Sequence, residues 1–101
     1  MYVVERKSPR FPFIAAAQVI ETRTQARLQA RTSDLSREGC YLDMLNPLPT
    51  GTRLKINVTH QNKQLDAVGR VVHCELNVGM GVQFEEIGQR AVIDAWLADL
   101  T

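Results

Sequence analysis

Apolar and polar positions alternate with a period of two through most of this chain. In residues 26–31, Ala26, Leu28 and Ala30 interleave with Arg27, Gln29 and Arg31, the pattern of a strand with one buried face. The apolar run before it, FIAAAQVI over residues 13–20, breaks at Glu21-Thr22-Arg23-Thr24-Gln25. Its alanines alone favour helix, but the polar break and the alternating partner make the two segments a hairpin. Cys40 to Met44 is a short strand, stopped by Asn46-Pro47-Leu48-Pro49-Thr50-Gly51. Leu54, Ile56 and Val58 alternate with Arg53, Lys55 and Asn57, and His60-Gln61-Asn62-Lys63 turns into a longer strand over residues 64–74. Gly69 inside that strand predicts a bulge or barrel bend. After a turn at Glu75-Leu76-Asn77, Met80, Val82 and Phe84 form one face of a last strand, with Gly79 and Gly81 opposite.

The period then changes. Val92, Ile93, Trp96, Leu97 and Leu100 share one helical face, with Arg90, Asp94 and Asp99 off it. A helix of about a dozen residues is marginal alone, so it must dock its Trp96 face on the sheet. Six short antiparallel strands close most economically into a barrel, which leaves no open edges. The expected fold is therefore all-β, a six-stranded antiparallel barrel with one C-terminal α-helix covering an opening.

Composition narrows the class. At 101 residues the chain is one domain, and 45% apolar with 23% charged residues is ordinary globular composition. No apolar run reaches the roughly 20 residues of a membrane helix, and the first residues lack the order of a secretion signal, so a cytoplasmic location is expected. Cys40 and Cys74 have no metal-ligand spacing and read as reduced, buried thiols. The net charge of +1 is too small for a surface that tracks a nucleic-acid backbone, though the N-terminal part is the basic end and suffices for one small polyanion.

Two stretches carry chemistry. Asp34-Leu35-Ser36-Arg37-Glu38-Gly39 sets a carboxylate, a hydroxyl and a glycine between two apolar runs, and Arg6-Lys7-Ser8-Pro9-Arg10 supplies cations. Pro9 and Pro12 forbid a helix through Arg6 and Arg10, so residues 1–12 form an arm and residues 13–101 the barrel and helix. Either stretch alone recurs by chance in solvated arms and turns. Together, with one hairpin between them, they return to the same end of a small barrel. No catalytic set is evident: His60 and His73 lack ligand-spaced partners, Ser36 has no base or GxSxG elbow, and Gly79-Met80-Gly81 lacks the surrounding βαβ unit of a dinucleotide fingerprint.

The two stretches resemble the paired RxxxR and (D/N)xSxxG motifs of the PilZ domain family. Leu48-Pro49-Thr50-Gly51-Thr52, Gly69-Arg70-Val71-Val72, Gly79-Met80-Gly81-Val82-Gln83-Phe84 and the closing helix also fall where that family has them. The resemblance spans nearly the whole chain and implies a bacterial receptor for cyclic di-GMP, with Arg6, Arg10, Asp34, Ser36 and Gly39 as ligand residues and no cofactor or metal. Glu5 stands where many members carry another basic residue, which bears on affinity and ligand number. Physically the assignment is sensible. Guanidinium can fork onto phosphate or the guanine O6/N7 edge, Asp34 can accept guanine N–H groups, Ser36 can bridge to base or phosphate, and Gly39 permits close approach. Arg37 and Glu38 are expected to face solvent. The arm is expected to be mobile without ligand and to order on binding, presenting a face to a downstream protein partner. The alternative reading is a PilZ-like protein-interaction adaptor with weak or no nucleotide binding. A single-strand-binding barrel would want basic and aromatic residues interleaved on strands, of which only Phe11, Phe13 and Tyr41 lie near the site. An enzyme is the least supported class.

Overall fold

The computed structural model describes residues 8–101. A two-residue strand β1 (Phe11–Pro12) precedes six longer strands: β2 (Ala16–Glu21), β3 (Arg27–Leu35), β4 (Gly39–Asp43), β5 (Arg53–His60), β6 (Lys63–Glu75) and β7 (Gly79–Ile87). All pairings are antiparallel, in the order β3-β2-β5-β6-β7-β4, and β4 pairs back onto β3. That last pairing closes the expected six-stranded barrel. β1 adds to the outer side of the β3 end, with Phe11 opposite Leu35 and Pro12 opposite Asp34. Proline is tolerated there because an edge strand can spare a donor.

Inward positions follow the alternation. Val19, Leu54, Ile56, Val58, Leu65 and Val71 are all buried and fill the barrel. β6, thirteen residues long, bends round the barrel through register shifts at Val68/Gly69 and Val71/His73, so the bulge expected at Gly69 is present. Gln61 and Asn62, both with positive φ (51° and 64°), make the tight turn that joins β5 to β6.

Helix α1 (Arg90–Leu100) buries Ile93, Trp96 and Leu97, the face set by its 3.6-residue period. Its start is tied to β6. The Gln89 side chain accepts the Asp66 amide at 2.7 Å and donates to the Asp66 carboxylate at 2.9 Å, while Gly88 N–H donates to the Asp66 carbonyl at 2.7 Å. Trp96 packs against Phe13, with ring centroids 5.3 Å apart, and edge-on to His60 at 5.7 Å. His60 is the last residue of β5, not a turn residue as the sequence suggested, so the helix covers the end of the barrel where β5 meets β6.

Two boundaries differ from the sequence reading. The first long strand begins at Ala16, although Phe13 and Ala15 already face the core and residues 13–15 bond to β3 through Phe13 N–H to the Ser33 carbonyl at 3.1 Å. β3 runs on to Leu35, which puts Asp34 in a strand and not in the turn after it. A register shift between Thr32 and Asp34 accounts for this, because a bulge interrupts the period that would have marked the strand.

Candidate functional site

The bulge at the end of β3 places Asp34 beside Tyr41 of β4. One Asp34 carboxylate oxygen accepts the Tyr41 amide at 2.9 Å, doing the work a main-chain carbonyl would do in an unbroken ladder. The other lies 3.4 Å from Nη1 of Arg10. The Arg10 side chain is only 13% exposed and that of Asp34 26% exposed, so this ion pair is partly withdrawn from water. Arg10 was expected on a solvated arm. It lies instead against the barrel, because Phe11 and Pro12 are already bonded into the sheet one residue further on. Arg6, its expected companion, lies outside the described residues, as does the rest of the arm through Lys7.

Ser36 and Gly39 shape the turn into β4. The Ser36 hydroxyl accepts the amides of Glu38 and Gly39, each at 3.2 Å, and donates to the Gly39 carbonyl at 3.3 Å. Ser36 is 6% exposed, and its oxygen is engaged in holding the turn. Gly39 does not stand in the left-handed region, so conformational freedom is not what the position uses. Its missing Cβ matters because a β-carbon there would stand 2.2 Å from the Val82 carbonyl oxygen of β7. The close approach anticipated at this glycine is thus made by the neighbouring strand. Glu38 bonds through its carbonyl to the Phe84 amide at 2.7 Å, fastening the turn to β7.

Arg37, expected to face solvent, is exposed and reaches Asp94 of α1 at 3.4 Å. Exposed pairs of this kind contribute little to stability. The Cys40 thiol is fully buried below the site; burial and the Asp34 charge push its pKa upward, partly offset by Arg10. Both cysteines are free, Cys40 buried and Cys74 half-buried.

Sequence reasoning missed Thr32. Its hydroxyl, completely buried, donates to the Phe13 carbonyl at 2.7 Å and accepts the Ala15 amide at 2.9 Å, fixing the segment that leads from the site into β2. The signal was present in the inward series Leu28, Ala30, Thr32 had the alternation been followed two residues further. A second feature is aromatic. Tyr41 and His73 both sit opposite Gly81, from the two strands that flank it. The Tyr41 hydroxyl donates to Glu75 at 3.2 Å, His73 Nε2 is 3.8 Å from the same carboxylate oxygen, and the two rings are 6.5 Å apart. Burial and the hydrogen bond to Glu75 push the Tyr41 pKa up to about 12. Among the described residues no group of His, Cys, Asp and Glu side chains could hold a metal ion, and no helix is long and apolar enough to cross a membrane.

The family model described as "PilZ domain" matches residues 5–99. No curated protein matches significantly. Among solved structures, the chain is similar to the PilZ domain of CeSA from a cellulose-synthesizing bacterium, at 21% identity and a TM-score of 0.69, covering 89% of this chain and 94% of that one. It is similar to the PilZ domain of YcgR from Escherichia coli, solved with c-di-GMP, at 14% identity and a TM-score of 0.74, covering 96% and 92%. The Bacillus subtilis inhibitor of motility MotI/DgrA matches at 14% identity and a TM-score of 0.70; the alignment covers 96% of this chain and 51% of that one. Likeness at these identities is likeness of fold.

Proposed function

The chain belongs to the PilZ domain family, and from that premise we propose that it is a receptor for cyclic di-GMP, with Arg6, Arg10, Asp34, Ser36 and Gly39 forming the ligand site. PilZ domains are ligand-binding or adaptor modules and not enzymes. The observation that carries the reading is the Arg10–Asp34 pair, partly withdrawn from water at the end of β3, beside the turn that Ser36 and Gly39 shape. A paired guanidinium and carboxylate offer both things such a ligand needs: a fork for phosphate or the guanine O6/N7 edge, and an acceptor for guanine N–H groups. Ligand would draw the Arg10 guanidinium from its 3.4 Å contact toward the phosphate. Ser36 serves by holding the turn that aims Asp34, with its hydroxyl already committed to Glu38 and Gly39. The YcgR domain was solved with c-di-GMP, which supports this choice of ligand for the same fold.

The switch we propose is an ordering of the arm around Arg6 onto the barrel, creating a composite face for a partner protein. Calorimetric titration with cyclic di-GMP, with GTP and single-stranded RNA as controls, tests the ligand. Binding of cyclic di-GMP alone supports the reading. No binding by a folded protein would leave the adaptor alternative. With cyclic di-GMP bound, hydrogen exchange should show new protection ahead of Phe11 and little change in α1, since Phe11 and the turn at Ser36–Gly39 are already hydrogen-bonded.

A further inference from the structure

The outer surface beside Asp34 has a second feature that the motif residues do not explain. Across β4, β7 and β6, the register aligns Tyr41, Gly81 and His73, and one pair further along aligns Asp43 and Glu75 with Gly79. β7 therefore presents two glycines where a barrel exterior normally carries side chains. Tyr41 occupies the space left: a β-carbon on Gly79 would stand 2.7 Å from Tyr41 Cε2, so the ring lies down over that strand. Its hydroxyl is held by Glu75 at 3.2 Å, and His73 closes one side with its ring 6.5 Å away. A half-buried tyrosine fixed at its tip and underneath has one face against the sheet and the other toward solvent. Its own amide is the group bonded to Asp34, so the ring and the carboxylate are joined through a single residue.

We propose that this outer face of Tyr41, walled by His73, is a stacking shelf for a purine base of the ligand. The proposal rests on the reading that the Arg10–Asp34 site takes a guanine dinucleotide. A base laid on the ring turns its hydrogen-bonding edge along the sheet toward Asp34, whose register partner is Tyr41. Stacking reads only the π-face and tolerates any base, whereas the carboxylate accepts guanine N–H donors, so the shelf supplies affinity and Asp34 supplies discrimination. Gly79 is then required twice over: a β-carbon there would run into the Leu42 carbonyl oxygen of β4 and also press on the ring.

Calorimetry and NMR on the full chain decide it. With wild-type protein, cyclic di-GMP should move the Tyr41 ring protons upfield, as a stacked purine does. Tyr41→Phe should bind within about twofold of wild type, because the ring is kept, and Tyr41→Leu, a residue also suited to strands, should bind about 5- to 100-fold more weakly. Wild-type binding with no upfield shift, or Tyr41→Leu binding as well as Tyr41→Phe, overturns the shelf and leaves the receptor reading standing. Absence of wild-type binding overturns both. Should Tyr41→Leu fail to fold, the ring shifts and the Phe variant still decide.

Discussion

Gly39 and Val82 are packed so closely across the β4–β7 pairing that a β-carbon at position 39 would lie 2.2 Å from the Val82 carbonyl oxygen. The obstacle is main chain, which cannot swing aside as a side-chain tip can. Gly39→Ala should therefore destabilise the fold by about 2 kcal/mol or more, seen as a melting temperature roughly 10 °C lower, before any ligand is added. An unchanged melting temperature would mean that β4 and β7 can separate at no cost.

Asp34 has two tasks, and two substitutions separate them. Asp34→Asn keeps an oxygen that can accept the Tyr41 amide but gives up the charge facing Arg10. Asp34→Ala loses both and leaves a part-buried amide without its acceptor, at a cost of about 1–3 kcal/mol. Denaturant midpoints should rank wild type above Asn and Asn above Ala. Equal loss in both variants would assign the whole effect to charge.

Arg10 is mostly covered, so its truncation should reach beyond binding. Arg10→Ala should abolish cyclic di-GMP binding and also lower stability by about 1 kcal/mol through lost packing of the alkyl stem. Arg10→Lys should recover much of the stability and little of the affinity, because lysine keeps stem and charge without the planar fork. Thermal melts and calorimetry on the same preparations test both halves; near-normal affinity in the lysine variant would sink the bidentate account.

Acid should loosen the link between helix and sheet. Hydrogen bonds from Asn57, at 2.7 Å, and from Gln89 hold the Asp66 carboxylate below its ordinary pKa of 3.8. A depressed folded-state pKa stabilises the fold fully above that ordinary value and loses its effect as pH falls toward the folded one. Urea midpoints measured from about pH 6 down to about pH 3 should fall less steeply below about pH 4 in Asp66→Asn than in wild type. Identical slopes would exclude Asp66 as a contributor.

How far the sequence revealed this molecule depended on whether a feature was periodic. Ile93, Trp96 and Leu97 were legible because a helix repeats its buried face every three to four residues, and Leu54, Ile56 and Val58 because a strand repeats every two. The bulge before Asp34 has no period, so the carboxylate was placed in a turn when it stands in a strand. Arg10 was read as an exposed arm residue because two prolines mark irregular chain, and nothing local says that Phe11 and Pro12 pair with Leu35 and Asp34 over twenty residues away. Gly39 and Tyr41 show the same limit. Each was visible as a residue type, but the strand that gives it meaning, β7, arrives some forty positions later.

The stack of Phe13, His60 and Trp96 makes the protein its own optical probe. Trp96 is the only tryptophan in the sequence, so its emission reports a single place, the seam where α1 meets the mouth of the barrel. A helix that lifts from Phe13 exposes the indole to water and reddens its spectrum. Departures of the helix can therefore be followed in unlabelled protein, separately from whatever happens at Asp34.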